Sequence, residues 1–379
     1  MKIALLGNLP RPLDNSLYRG IESFNSSLAD ELTSLGHDVT VYTSTPTNSS
    51  CELKNLIDPS YLGKLKELYD KGRTNSQDFA KIARHSYLSV IKEIESLEFD
   101  LIHNNSLETL PLLASSTINT PMLTGLHHPP TSKQKYLLEY QTYRPKSFYC
   151  ASSNIIRDVW KQSFPDLDVA MIETGTLKLK NTVELNLSES VKSGIWLGSI
   201  KEDCGLKEVL EGCNLAGVDI KVFGEIESES YFTNEIGPLL NKSVRYFGHM
   251  DMETIKKHMF NSRFAVAGAD LKRSWILEML ANGLPIIGKS TPELKELIND
   301  TNGRLYPKNV PGLVARSIES ISSLCRVKIQ QNAIKDWNTT TMANKYEKVY
   351  KFLKAIHDRD KKEKAYWYLY TSSKQRSLV

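Results

Sequence analysis

The sequence predicts an α/β protein made of two successive doubly wound domains, each with a parallel sheet covered by helices on both faces. Short apolar strands alternate with helical patterns through residues 1–176, and this alternation is lost in the polar residues 177–193. It resumes at residue 194 with a second series of strands. Strands that alternate with helices are typical of buried parallel sheets, and 379 residues are enough for two ordinary domains.

The first unit of the pattern is a strand, a helix and a second strand. KIALLGNL is a short apolar strand followed by a loop of Pro, Asn and Gly. Residues 21–35 place apolar side chains at helical spacing, and Gly36 suits the end of that helix. DVTVYTS then alternates as the second strand.

Residues 51–98 are helical in pattern. YLGKLKELYDKGR and FAKIARHSYLSVIKEIESL are both amphipathic, and residues 61–100 contain seven Lys/Arg and seven Asp/Glu. This balance of charge favours a solvated helical insertion over a membrane-binding surface.

The remaining strands and helices complete two domains. The first series continues with the strands DLIHNN, PMLTGLHH, SFYCASS and VAMIET, and the second consists of GIWLGSI, DIKVFG, VRYFGH, RFAVAGA and LPIIG. We expect an N-terminal domain over residues 1–185 and a C-terminal domain over residues 190–345. Residues 346–379 form a helix and a basic, aromatic tail, which either packs onto the protein or contacts a membrane surface or a partner weakly.

Composition excludes several classes of protein. The net charge is +4, without a dense Lys/Arg block, so we expect no nucleic-acid partner. Five scattered cysteines without a C-x-x-C pair favour a reducing compartment over a disulfide framework or a zinc site. MKIALLGNLP is too short for the apolar core of a signal peptide, and no stretch has the length of a membrane span. The sequence therefore predicts a cytoplasmic location.

The most informative stretch is ADLKRSWILEMLANGLPII, residues 269–287. It places Asp270 eight positions before Glu278, with the cations Lys272 and Arg273 between them. The second acid lies on a short helix that ends at Gly283, so its direction is fixed by a rigid element. Ligands of doubly wound folds bind at the carboxyl ends of the strands, and we expect this site to lie in a cleft between the two domains.

The order and spacing of several segments resemble the GT-B glycosyltransferases of the family 4 type, a large retaining group that uses nucleotide-sugar donors. The resemblance covers most of the chain. It is carried by RGIESFNSSLADELTSLGHDVTVYTS, FDLIHNNSLETLPLLAS, TPMLTGLHHPP, WLGSIKEDCGLKEVLEGCNLAGVDIKVFGE, VRYFGHMDMETIKKHMFNSRFAVAGAD, ILEMLANGLPIIGKSTPELKELI and ANKYEKVYKFL. It implies two Rossmann-like domains that face a cleft, with the C-terminal helix returning to the N-terminal domain.

The resemblance also assigns roles to residues of the C-terminal domain. Asp270 would contact hydroxyls of the transferred sugar, and Glu278 would accept hydrogen bonds from the ribose hydroxyls of the nucleotide. A carboxylate suits both roles because its two oxygens accept two neighbouring hydroxyl protons. Asp270 stands where the family usually has Glu, so its reach is shorter by one methylene. The alternative places Glu278 on a helix surface and Asp270 in a loop or cap.

In the N-terminal domain, the resemblance points to a turn and a histidine. Gly20 is the one glycine that remains of a Gly-Gly turn, where backbone N–H groups would approach an anion and Arg19 would add charge. His127 matches a histidine near the transferred sugar, and His128 is the match if the register slips by one. His103 occupies another recurrent position, for which a structural role is the alternative.

The chain departs from the family where an Arg and a Lys usually neutralise the leaving diphosphate. Ser199 and Cys204 stand at those positions, and such charge stabilisation is usually the largest electrostatic contribution to a transfer of this kind. We hypothesise that Lys272 or Arg273, with Lys201, replaces the missing cations, and that the loop including Ser274 binds the diphosphate. Cations at a helix N-terminus are unfavourable unless an anion lies among them. The alternative is a pair of solvent-facing cations.

The function implied is a retaining, hexosyl-type transferase that moves a sugar from a nucleoside-diphosphate sugar to a hydroxyl of a glycan, a lipid-linked molecule or a small molecule. We expect no tightly bound cofactor and no metal, since the Asp-x-Asp matches at 166–168 and 358–360 fit surface charge better. Two alternatives remain: a nucleotide-sugar epimerase of the same fold, and an inactive binding subunit.

Overall fold

The computed structural model describes residues 1–9, 16–44, 49–73, 76–106, 108–140, 147–175, 193–250, 252–268, 271 and 273–358, with the side chains of 16–20, 140, 252 and 253 excepted. The chain divides into two compact units, Met1–Gly175 with Thr339–Val379, and Thr176–Asn338. The linker predicted over residues 177–193 lies outside the described residues, apart from Ser193. The domain boundaries predicted from the sequence remain a prediction.

The N-terminal unit is a seven-stranded parallel sheet in the order β3-β2-β1-β4-β5-β6-β7. Its strands are β1 (Lys2–Leu6), β2 (Asp38–Thr43), β3 (Glu52–Asn55), β4 (Leu101–Asn104), β5 (Met122–Leu126), β6 (Ser147–Ala151) and β7 (Val169–Met171). Its first six helices are α1 (Ser16–Ser34), α2 (Leu62–Asp70), α3 (Gln77–Ser96), α4 (Thr109–Ala114), α5 (Ser132–Tyr140) and α6 (Asn154–Ser163). The sequence patterns missed β3 and α5.

Strand β1 shows why the sheet is covered on both faces. Ile3 and Leu5 point into one apolar cluster with α1, and Ala4 and Leu6 point into a second cluster with α2 and α3. Side chains of a strand alternate between faces, and residues 3–6 of β1 are all apolar, so this strand requires helices on both sides.

The interpretation of residues 51–98 as a solvated insertion is wrong. Helix α3 buries its apolar stripe, which includes Phe79, Ile82, Tyr87 and Ile94, in the same cluster as strand β1. The charged residues occupy only the outer face, because an amphipathic helix keeps its polar side in water. Helix α3 is therefore part of the layer that covers the sheet.

The C-terminal unit is a six-stranded parallel sheet in the order β10-β9-β8-β11-β12-β13. Its strands are β8 (Ser193–Leu197), β9 (Asp219–Phe223), β10 (Val244–Tyr246), β11 (Phe264–Ala267), β12 (Ile286–Lys289) and β13 (Gly303–Tyr306). Its helices are α7 (Leu206–Leu215), α8 (Glu229–Tyr231), α9 (Met252–Phe260), α10 (Arg273–Ala281), α11 (Pro292–Leu297), α12 (Pro311–Ser320) and α13 (Arg326–Trp337). Strand β13 and helices α12 and α13 were not predicted. The prediction of two doubly wound α/β domains is confirmed.

The last helix, α14 (Thr339–Asp358), returns to the N-terminal unit. Its side chains Tyr346, Tyr350 and Leu353 are fully buried in the cluster that also contains Ile3 and Leu5. The predicted return of the C-terminal helix is therefore confirmed. The tail that follows α14 lies outside the described residues.

Within the described part of the chain, no helix combines the length and the apolar character needed to cross a bilayer.

Candidate functional site

Polar side chains gather in the N-terminal unit where β1, β4 and β5 end. Asn8 follows β1, Asn105 follows β4 and His127 follows β5. Neighbouring parallel strands end at the same edge of a sheet, which is where doubly wound folds bind ligands. Asn8 and Asn105 are buried, and His127 is partly buried.

The imidazole of His127 is held by an amide. Its Nε2 lies 2.8 Å from Oδ1 of Asn105, and its ring meets the ring of Phe24 edge-on at 5.0 Å. Burial, with a smaller contribution from His128, lowers the pKa of His127 to about 4, so the ring is neutral at neutral pH. Nδ1 of His128 instead lies 2.6 Å from the carbonyl oxygen of Pro129. His127 is thus the histidine of the polar group, and its contact with a sugar stays a prediction.

Asn25 and Asn105 are residues that the sequence analysis missed. Nδ2 of Asn105 donates to Oδ1 of Asn25 over 2.7 Å, and the two side chains are 0% and 3% exposed, respectively. A signal was present, since DLIHNN ends its apolar strand in two successive amides. Their spacing did not reveal that one of them reaches the histidine after the next strand.

His103 connects β4 to the last helix. Its Nδ1 lies 2.6 Å from the hydroxyl oxygen of Tyr350, and its ring contacts the ring of Tyr346 at 4.9 Å. Complete burial lowers its pKa well below the usual value. These contacts support the structural alternative for His103.

Gly20, which was predicted to form a turn before the first helix, lies inside that helix in the structure. Helix α1 begins at Ser16, so Gly20 is its fifth residue. Only the first four N–H groups of a helix lack acceptors within it, and the N–H of Gly20 is not among these. The side chain of Arg19 lies outside the description. Anion binding by these two residues remains a prediction.

In the C-terminal unit, Glu278 lies on α10 and is 2% exposed. Nζ of Lys256, on α9, is 3.2 Å from its Oε1, an ion-pair distance. Among the described residues, however, Oε1 has no partner with hydrogen-bond geometry. Gly283 ends the helix turn with a φ of +68°, as its position in the sequence predicted. Lys256 was missed because a different helix provides it.

Arg273 and Ser274 form the first turn of α10. Nη1 of Arg273 is 3.4 Å from Oε2 of Glu296 on α11, and these side chains are 19% and 10% exposed. A protein carboxylate is therefore the anion beside this cation at the helix N-terminus. Asp270 and Lys272 lie outside the described residues, so their proposed contacts stay predictions.

Ser199 and Cys204, the two positions that depart from the family, lie in different environments: Cys204 is in the apolar core, and Ser199 is beside an ion pair. Cys204 is 4% exposed and belongs to the apolar core of the unit. Lys201 lies 2.8 Å from Glu227, and hydrogen bonds from Lys201 and Ser199 lower the pKa of that carboxyl. The structure thus pairs Lys201 with an acid of the same unit.

No group of three or more His, Cys, Asp or Glu side chains suited to a metal ion occurs among the residues that the structure describes. The expected independence from metals stays a prediction.

Comparisons with known proteins agree with this architecture. Residues 18–176 match the model of Glycosyltransferase Family 4. No curated protein matches the sequence. A glycosyltransferase from Rickettsia africae is similar in structure, with a TM-score of 0.65 and 18% identity over 93% of this chain and 98% of its own. HepE of Anabaena, solved with UDP and glucose, has a TM-score of 0.61 and 15% identity over 93% of this chain and 100% of its own. AviGT4, involved in avilamycin A biosynthesis, has a TM-score of 0.61 and 14% identity over 94% of this chain and 98% of its own.

These likenesses and the two parallel sheets are those of the GT-B fold. The match over residues 18–176 confirms the resemblance to family 4 glycosyltransferases that the sequence showed.

Proposed function

We propose that the protein is a retaining glycosyltransferase that moves a hexose or related sugar from a nucleoside-diphosphate sugar to an acceptor hydroxyl. Residues 190–345 bind the donor and residues 1–185 bind the acceptor. The observation that carries the proposal is the buried Oε1 of Glu278, which lies at ion-pair distance from Lys256 but has no partner with hydrogen-bond geometry among the described residues. Burying such an oxygen is costly unless a donor reaches it, and the ribose hydroxyls would supply donors.

The solved relatives suggest which donors and acceptors to test first. HepE was solved with UDP-glucose, and GtfA, a pneumococcal O-GlcNAc transferase, with UDP and GlcNAc. A TarM variant of S. aureus was solved with fondaparinux, α-GlcNAc-glycerol and UDP. Uridine donors are therefore the first choice, with glycan, lipid-linked and small-molecule acceptors. We place the reaction in the cytoplasm because all five cysteines are free thiols.

In this reaction the bond from the sugar to the diphosphate breaks, and the acceptor oxygen forms the new bond on the same face. The acceptor proton moves to a diphosphate oxygen. Asp270 and His127 position sugar hydroxyls, while Gly20, Arg19, Lys201, Lys272, Arg273 and Ser274 form the candidate diphosphate surroundings. The chain's own cations thereby stabilise the charge that develops on the leaving group without a metal.

A Glu278→Gln variant tests the donor site. Uridine diphosphate should raise the unfolding temperature of the wild type, and this stabilisation should be lost in the variant because the amide presents two hydrogen donors to the ribose. The rate of transfer from UDP-sugars should fall at least about tenfold. Glu319→Gln, on the exposed side of α12, is the matched control. Equal binding and transfer by wild type and Glu278→Gln would rule out this site.

A nucleotide-sugar-binding subunit without transfer activity is the second candidate. It is favoured by the burial of Cys204 in the core at a position where the family usually has a Lys. Stabilisation by a nucleotide sugar, with no product from any acceptor, would support it. Conversion of the sugar without an acceptor would instead identify an epimerase.

A further inference from the structure

A chain of three polar side chains runs from helix α1 to the end of strand β5. Asn25 of α1 accepts from Asn105, and Asn105 faces His127, with separations of 2.7 and 2.8 Å. The first two side chains are almost completely buried. Such networks are retained only when their donors and acceptors match.

The direction of these hydrogen bonds determines which nitrogen of the His127 imidazole carries the proton. Nδ2 of Asn105 donates to Asn25, so its Oδ1 is the atom that faces Nε2 of His127. An amide oxygen only accepts, and a neutral imidazole carries one N–H. The proton of His127 therefore lies on Nε2, and the lone pair lies on Nδ1. The low pKa of His127 keeps the ring in this neutral state at neutral pH.

Gly125 leaves the space that this contact requires. A Cβ at this position would lie 2.2 Å from Oδ1 of Asn105 and 2.6 Å from Nε2 of His127. Any side chain here would therefore push the two partners apart. Among the described residues, Nδ1 of His127 makes no hydrogen bond.

We propose that Asn105 is a positioning residue that holds His127 in the Nε2–H tautomer, so that Nδ1 accepts a hydrogen bond from a hydroxyl group of the sugar ligand. The ligand part of this inference rests on the proposed function, whereas the tautomer does not. A lone pair at Nδ1 attracts an O–H donor and repels a phosphate oxygen. The group bound at His127 is therefore a hydroxyl and not the diphosphate.

Nuclear magnetic resonance of the full chain with nitrogen-15-labelled histidine tests the tautomer. Nitrogen shifts and long-range couplings distinguish Nε2–H from Nδ1–H, and a His127→Asn variant identifies the signals by their loss. We expect Nε2–H for His127 in the wild type at neutral pH. A proton on Nδ1 would overturn the proposal, and this outcome does not depend on whether the protein transfers sugar.

Two variants test the role of Asn105. Asn105→Asp keeps an acceptor oxygen and should keep the proton on Nε2, although it loses the N–H that donates to Asn25 and favours the imidazolium form. Asn105→Leu removes the acceptor and should give a mixture of tautomers. Transfer should fall about tenfold more in Asn105→Leu than in Asn105→Asp, with circular dichroism confirming that both variants fold. Retention of a pure Nε2–H tautomer in Asn105→Leu would refute the positioning role. Loss of the tautomer without loss of transfer would refute the sugar contact and leave the proposed function intact.

Discussion

Glu278 and His127 each face a polar side chain from another element. Lys256 on α9 faces Glu278, and Asn105 after β4 faces His127. Buried polar groups of this kind lose much of their stability when one partner is removed, because the other is left without compensation. These two pairs are therefore the places where single substitutions report on the site.

Replacing Gly125 by Ala should disrupt the contact between Asn105 and His127. The new methyl group would lie 2.2 Å from Oδ1 of Asn105, so both side chains must shift. We expect the free energy of unfolding to fall by about 1–3 kcal/mol. The control is Gly63→Ala on α2, where nothing lies within 4 Å and the change should stabilise by about 0.5–1 kcal/mol. Urea denaturation measures both, and equal effects would contradict the prediction.

Replacing Lys256 by Met should destabilise the C-terminal unit. The substitution keeps an unbranched chain of similar length but removes the charge that lies 3.2 Å from Glu278. Because Lys256 is 27% exposed, water offsets part of the loss, and we expect a cost of about 1–2 kcal/mol. Lys257→Met, exposed on the same helix, is the control.

A double-mutant cycle separates the ion pair from other effects of these changes. If Lys256 and Glu278 interact, the variant with Lys256→Met and Glu278→Gln should lose less stability than the sum of the single variants. Strict additivity would show that the two side chains are not coupled.

Helix α14 is the element that joins the end of the described chain to its beginning. Besides its apolar stripe, Thr339 donates to Glu31 over 2.9 Å, and the hydroxyl of Tyr350 meets His103. Lys354 also forms an ion pair with Asp100, which lies just before β4. The N-terminal unit is thus completed by residues that lie farthest from it in the sequence.

Replacing Leu353 by Ala should weaken this attachment strongly. The side chain is 0% exposed, and its loss leaves a cavity between α14 and the sheet. We expect a cost of about 2–5 kcal/mol. Lys351→Ala on the same helix removes an exposed ion pair with Glu347 and should cost only about 0.3 kcal/mol. Thermal and urea unfolding of the two variants provide the comparison, and similar losses would contradict the packing of α14.

Burial lowers the pKa of histidines in both units, and it lowers the pKa of His103 and His127 in the N-terminal unit furthest. Both bind protons in the unfolded chain below about pH 6.5, while the folded protein keeps them neutral to a lower pH. Neutral burial of the two rings therefore costs no stability above about pH 6.5, and the protein becomes less stable as the pH falls below that value.

The expected slope follows from this difference in proton binding. As the pH falls below 6.5, the free energy of unfolding should decrease by up to roughly 1.4 kcal/mol per pH unit for each of the two histidines. For His127 this continues towards its folded pKa of about 4. Urea denaturation at neutral and acidic pH measures the slope. His127→Asn should reduce it, and an unchanged slope in this variant would contradict the prediction.

Local patterns in the sequence predicted most of the strands, many of the helices and the division into two doubly wound domains. Those patterns are short in range. Short apolar strands that alternate with helices indicate a sheet covered on both faces, and a glycine such as Gly283 indicates the end of a helix. They also placed His127 and Glu278 after the strand and on the helix where the structure has them. Of the missed elements, the strands β3 and β13 are only four residues long. The pattern of α3 identified its apolar face but not the sheet against which it packs.

Only the tertiary structure decided which side chains meet. The amides of Asn25 and Asn105 are 80 residues apart in sequence, and Tyr350 reaches His103 across 247 residues. Arg273 was offered with Lys272 as a candidate cation for the diphosphate, which stays a prediction, and its ion pair with Glu296 on another helix could not be read from the sequence. Neither propensity nor periodicity encodes such pairings, because they arise when separate elements dock and their charges must be compensated away from water.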